Sequence, residues 1–115
     1  MSKQERNIFV EEFEFQSDQD GTRIQGFIWP ATAPVSVMVI AHGAAEHSLR
    51  YERFAEALNS AGVTVWSIDH RGHGRSPGPE GLGDFGEAGW DGLVADIGQA
   101  VRLAGAANPG LPLTL

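Results

Sequence analysis

Two short segments constrain the fold of this chain more than any other feature: Val35 to Ala41 (VSVMVIA) and Val63 to Ile68 (VTVWSI). Both are almost continuously apolar, with no polar face to present to water. That pattern suits parallel strands covered on both sides by helices. Neither run is long enough to cross a bilayer. Between them, Tyr51, Phe54, Ala55 and Leu58 recur at i, i+3, i+4 and i+7, the stripe of an amphipathic helix, and Gly62 stops it. A second stripe follows in Trp90, Leu93, Val94, Ile97 and Val101, with Asp84 and Glu87 spaced like a helix-start pair. Asn108-Pro109-Gly110 ends that segment, and Leu111 to Leu115 reads as the start of another strand.

The front of the chain follows a different rule. Phe9, Phe13 and Phe15 share one parity among glutamates, the alternation of a half-exposed strand. Asp18 to Gly21 is a turn signal, and Thr22 to Trp29 reads as the returning strand, with Trp29 as an edge-strand aromatic. Trp66 and Trp90 are expected to pack in the core or between helix and sheet. The expected architecture is therefore α/β: two antiparallel strands leading into a parallel sheet with helices on its faces.

The balance of 15 Asp and Glu against 8 Lys and Arg, a net charge of −7, excludes a cationic track for nucleic acid and a polybasic patch for anionic lipid. There is no cysteine, hence no disulfide framework and no thiolate chemistry. The polar start, Met1 to Arg6, lacks the apolar stretch of a signal peptide. A cytoplasmic protein is expected, with peripheral attachment at membranes left open.

In an open parallel sheet, ligands bind outside the carboxyl ends of the strands. The loop His42 to Tyr51 leaves one such end and the loop Asp69 to Ser76 leaves the next, so both open on one rim. Gly43 followed by the small Ala44 and Ala45 lets the backbone approach a substrate, with amide N–H groups free to point into the site. Donors of this kind stabilise the oxyanion formed when an ester carbonyl is attacked. Glu46 and Arg50, four apart, have the spacing of an ion pair bracing the loop or of a plain solvated pair. Asp69, His70 and His73 lack further ligands at a diagnostic spacing, so no metal site is assigned. The segment from Gly72 to Gly83 holds seven glycines and prolines but not the Lys-Ser/Thr ending of a phosphate loop. Its glycines suggest sharp turns, with Asp69 and Arg71 tying the loop down.

Taken together, HGAAEHSLRY and DHRGHGRS, with their strands and the helix between, resemble the N-terminal part of the monoacylglycerol lipase and lysophospholipase branch of the α/β-hydrolases. The pattern HG-x-x-EHS-x-RY followed about twenty residues later by D-x-RGHG-x-S is the specific part. The resemblance runs from about Arg23 to Leu115. It implies that the backbone N–H of Ala44 is one oxyanion donor, with Gly43 and Ala45 beside it at the substrate. It implies that the nucleophilic serine sits in a Gly-x-Ser-x-Gly turn directly after the strand that begins at Leu111, with the triad Asp and His later still. Ser48, Ser60, Ser67 and Ser76 do not stand in that context. Because the base comes late in this fold, His42 and His47 are read as hydrogen-bonding supports of the rim, along with Glu46, Arg50, Asp69 and Arg71. No metal or organic cofactor is implied.

Residues 1–115 are accordingly expected to be an incomplete α/β-hydrolase domain, inactive alone, whose nucleophile-bearing half and cap lie beyond Leu115. A domain of this kind usually runs past ~200 residues. The expected partner is the remaining C-terminal part of the same hydrolase, as a second segment or chain. The expected activity of the complete protein is cleavage of carboxylic esters of lipid-like substrates through an acyl-enzyme. A carboxylesterase with a small substrate and a non-catalytic interaction module are the alternatives.

Overall fold

The computed structural model describes residues 10–115; Phe9, which the alternation placed in the first strand, lies outside them. Strand β1 (Glu11–Gln16) turns at Gly21 into β2 (Arg23–Trp29). Strand β3 (Ser36–Ala41), a 3-10 turn at Ser48–Tyr51 and helix α1 (Glu52–Ser60) follow. Then come β4 (Val63–Ile68), helix α2 (Gly89–Ala107) and the short β5 (Leu113–Thr114). One five-stranded sheet results, in the order β1-β2-β4-β3-β5. β1 and β2 are antiparallel, as are β2 and β4, whereas β3 lies parallel to both β4 and β5. This is the α/β architecture that the two apolar runs predict.

The alternation of strand side chains divides the core into two faces. Phe27, Trp29, Ile40 and Val65 point to the α1 side, where Ala55 packs on them. Val37, Val39 and Trp66 point to the α2 side, against Ala104 and Val101. Gly26 stands opposite Phe13, whose ring covers it and then packs on Trp66 at 5.0 Å between ring centroids. Any Cβ at position 26 would collide with the Phe13 ring.

Four expectations are corrected. Trp29 is not at an edge: β2 lies between β1 and β4, and the indole is buried beside Phe27 and Ala55. Trp90 is 67% exposed rather than packed. The buried arc of α2 is Leu93, Asp96, Ala100 and Ala104. At about 100° per residue this arc is rotated from the expected stripe, which leaves Trp90 and Val94 on the flank. Phe54 is likewise exposed, because α1 turns Ala55 to the sheet with Tyr51 and Leu58 beside it. Asp84 does not start a helix: α2 begins at Gly89 without a side-chain cap. Its carboxylate instead accepts the N–H groups of Glu80 and Gly86, at 2.8 and 2.9 Å, and closes the loop; these two bonds hold its pKa below the usual range. Among the described residues, no helix is long and apolar enough to cross a membrane.

Candidate active site

The parallel strands β3 and β4 end together, in register through Ala41 and Ile68, so the loops that follow them emerge side by side. The first loop is built around a tight turn. Glu46 N–H donates to Gly43 O at 3.2 Å, and Ala45, between them, has φ +60°. Ala45 is the one non-glycine residue with positive φ among the described residues. With Ala44 at negative φ before it, this is the pattern of a type II turn. The Gly43 N–H is taken by Glu46 Oε1 at 2.8 Å. The Ala44 N–H has no acceptor among the described residues, and Ala44 is exposed.

Glu46 is the hub of this loop. The Tyr51 hydroxyl donates to the same Oε1 at 2.6 Å, and Arg50 Nε lies 3.4 Å from Oε2. The Tyr51 and Gly43 hydrogen bonds hold the Glu46 pKa below its ordinary value, and the same carboxylate raises that of Tyr51. The i, i+4 spacing points to Arg50; the nearer partner, Tyr51, stands in the sequence as the last residue of the EHS-x-RY motif and the first of the helical stripe. His47 is exposed, makes no side-chain hydrogen bond to cap the 3-10 turn, and lines the larger cavity between the loops.

The second loop is tied down from within. Asp69 is buried, accepting Ser48 N–H on Oδ1 at 2.7 Å and Arg75 N–H on Oδ2 at 2.9 Å, so one carboxylate joins the two loops. Gly74 makes room for it: with φ +48°, a Cβ there would stand 2.5 Å from Asp69 Oδ2. Arg71 is fully buried. Its guanidinium donates to Asp96 through Nε (2.9 Å) and Nη2 (3.2 Å), to both carboxylate oxygens of Asp20, to Ser17 Oγ and to Phe85 O. Burial works against the charged form of Arg71, but the bonds to Asp96 and Asp20 outweigh it and raise the pKa; the Arg71 bond correspondingly lowers that of Asp20. Gly92 leaves space for this fork, since a Cβ there would lie 2.8 Å from Arg71 Cζ. The sequence marks Asp20 only as part of the Asp18 to Gly21 turn and does not mark Asp96. The available signal was an acid centred among Leu93, Ala100 and Ala104, a position that requires a buried counter-charge.

Three imidazoles meet between the loops. The His42 and His70 rings are 4.1 Å apart and His73 is 5.1 Å from His42, centroid to centroid. His70 N–H donates to His42 Nε2 at 3.0 Å, and His42 Nδ1 lies 2.7 Å from Gly43 O. His42 thus links the start of the second loop to the backbone of the first. Burial lowers the pKa of both His42 and His70, the latter to about 4. His42, Ala44, His70 and His73 line a cavity of about 120 Å³ together with Phe85, Trp90 and Leu93. A larger one, about 510 Å³, lies between Ala45, Glu46 and His47 on one side and Leu82, Gly83 and Phe85 on the other.

Comparison with known proteins fits this geometry. The sequence profile of the serine aminopeptidase, S33 family matches residues 32–115. A monoacylglycerol lipase of Mycolicibacterium smegmatis is 43% identical over 94 residues, which are 80% of this chain and 32% of that protein. Protein K6 of vaccinia virus is 48% identical over 60 residues, 51% of this chain and 74% of that protein. A thermostable carboxyl esterase from Bacillus coagulans, solved in complex with glycerol, superposes with a TM-score of 0.82 at 28% identity, over 90% of this chain and 34% of the esterase. The chain therefore spans about a third of the length of the lipase and of the esterase. It belongs to the serine aminopeptidase S33 family of α/β-hydrolases and is related to monoglyceride lipases and esterases.

Proposed function

We propose that the full-length protein carrying this chain is a serine hydrolase that cleaves carboxylic esters of lipid-like substrates, monoacylglycerols or lysophospholipids, through an acyl-enzyme. Residues 1–115 are, in this reading, the incomplete part of the domain that supplies half of the site. The observation that carries it is the unengaged N–H of Ala44, on a turn whose neighbouring amide is already occupied. A serine hydroxyl from the remainder of the protein attacks the ester carbonyl while a histidine takes its proton. The carbonyl oxygen becomes an oxyanion, and Ala44 N–H is one of the donors that hold it. The alcohol leaves with the proton from the histidine, and water then releases the acid by the same steps in reverse order. Gly43 and Ala45 keep bulk away from the carbonyl, and the cavity walled by Leu82 and Phe85 offers apolar surface beside it.

A second reading, an esterase for small substrates, is favoured by the superposition on the carboxyl esterase. Two measurements on the full-length protein separate these possibilities. Labelling by a fluorophosphonate is expected, with the label on a serine beyond Leu115; a protein that stays unlabelled is not a serine hydrolase. Turnover of a long-chain monoacylglycerol faster than of an acetate or butyrate ester supports the lipid reading, and the reverse order supports the small-ester reading.

A further inference from the structure

His73 carries a polar atom that the rest of the site leaves unused. The residue sits on a fixed turn: its N–H donates to His70 O at 2.9 Å, and Ser76 N–H donates to its carbonyl at 2.8 Å. Gly72 and Gly74 flank it at φ +77° and +48°, backbone conformations that glycine adopts readily. The ring is fixed as well. It packs on His42 and Phe85, at 5.1 and 5.7 Å between centroids. Its Nδ1 lies 3.1 Å from Arg71 O, a carbonyl that can only accept, so Nδ1 carries the hydrogen. In the neutral ring Nε2 is then an acceptor. It has no hydrogen-bond partner among the described residues, yet it is not one of their buried unpaired atoms, so it keeps accessible surface.

The cavities give that surface a place. His73 and Phe85 are the two residues common to both, the cavity of about 120 Å³ that Ala44 lines and the one of about 510 Å³ walled by Leu82. An ester with its carbonyl at Ala44 N–H and its chain along Leu82 passes His73 on the way. The ligand group that suits Nε2 is a donor. Glu46, in the wall of the larger cavity, is likewise an acceptor. A hydroxyl meets this demand, whereas a phosphate or carboxylate sets acceptor against acceptor. The arginines of the two loops are each held by a carboxylate: Arg50 by Glu46, Arg71 by Asp96 and Asp20, and Arg75 by Glu12. None of the three stands free to take an anion. His47 shares the larger cavity, but no hydrogen bond fixes which of its nitrogens carries the hydrogen.

We infer that His73 is a specificity-determining residue: its Nε2 accepts a hydrogen bond from a free hydroxyl on the alcohol half of the ester, so that the site selects esters of polyhydric alcohols over esters of simple ones. This rests on the function proposed above and adds to it the group that reads the alcohol.

The test uses the full-length protein at about pH 8, above the ordinary imidazole range. A long-chain monoacylglycerol and the propyl ester of the same acid differ only in the hydroxyls of the alcohol. In wild type, kcat/KM is expected to favour the monoacylglycerol. His73→Phe keeps a ring against His42 and Phe85 but removes the acceptor, and the ratio of the two kcat/KM values is expected to fall ~10-fold, the loss of about one hydrogen bond. His73→Gln, whose amide oxygen reaches toward the Nε2 position, is expected to restore part of it. An unchanged ratio in folded His73→Phe overturns the inference. A second measurement needs neither turnover nor a variant: the ¹⁵N resonance of His73 Nε2 in the wild type. Dodecylglycerol ether, which is not hydrolysed, is expected to shift it away from the value of a free lone pair, and dodecyl propyl ether is not. Equal responses to both ethers, or no response to either, overturn the inference. If His73→Phe does not fold, the resonance decides. If the wild type cleaves neither ester and takes no fluorophosphonate label, the proposed function fails, while the resonance still reports whether His73 binds a hydroxyl.

Discussion

The two rim loops are held by opposite means. The first is braced at its surface: Glu46, joined to Gly43, Tyr51 and Arg50, sits where water reaches it, and Arg50 is mostly exposed. The second is fastened from inside, by an Arg71 with no exposed surface and an Asp96 with none. Exposed ion pairs contribute little, whereas removing one partner of a buried pair is costly. The loop that presents the free Ala44 amide is therefore the lightly held one, and the loop beneath it is the anchor. Asp69, which accepts from both, transmits the rigidity of the second loop to the first.

The sharpest way to break this contrast is Arg71→Met. It leaves Asp96 buried without its counter-charge and is expected to cost about 3–5 kcal/mol in urea unfolding; a loss under ~1 kcal/mol means that the second loop is not anchored this way. Next in size is Ala44→Pro in the full-length protein. Proline suits the position after Gly43 in this turn yet deletes the N–H. With the fold intact by circular dichroism, kcat is expected to fall about 10²–10³-fold. An unchanged kcat removes Ala44 from the chemistry.

The buried histidines set a pH response. The unfolded His70 imidazole titrates near 6.5 and the folded one near 4, so the unfolded chain binds more protons between those values. Stability is full above about pH 6.5 and is lost as the pH falls toward 4. At 1.36 kcal/mol per pKa unit the loss is about 3 kcal/mol, and His42 shifts in the same direction. Urea midpoints measured across this range check it, and a flat profile would show that the histidines titrate freely. Gly74→Ala is smaller. It strains a left-handed backbone by about 1–2 kcal/mol and crowds Asp69, so thermal unfolding should shift downward. The smallest effect is expected for Arg50→Ala, which spares both the Gly43 and Tyr51 bonds to Glu46. Its unfolding midpoint should match wild type, and a clear drop would place the first loop among the anchored ones.

The sheet was legible because β3 and β4 are uninterrupted apolar runs, a pattern with few alternatives, and the 3.6-residue period located both helices. Their orientation was harder to read. α2 turns Ala100, Ala104 and Asp96 inward, and two small alanines and an acid mark a buried face far less strongly than Trp90, Val94 and Ile97 do, so the stripe points at Trp90 instead. At the site, the geometry of the loops followed from chain order alone: two parallel strands ending together put His42 to Tyr51 beside Asp69 to Ser76. What the order of residues did not convey was which polar groups meet. Arg71 finds Asp20 51 positions earlier and Asp96 25 positions later, through the hairpin turn and through α2. Such pairings depend on tertiary approach, which no local spacing encodes.

The Arg71 contacts also bear on how the protein reaches its native state. The guanidinium gains its partners only when three separate pieces have arrived: the β1–β2 turn with Ser17 and Asp20, the glycine-rich loop with Phe85, and α2 with Asp96. With any one missing, a charged group faces a low-dielectric interior without full compensation. Partly assembled forms are thereby penalised against the complete one, and closing the long loops that separate the partners comes late. Amide exchange in the hairpin, the glycine-rich loop and α2 should then proceed through a single opening event, as one cooperative unit.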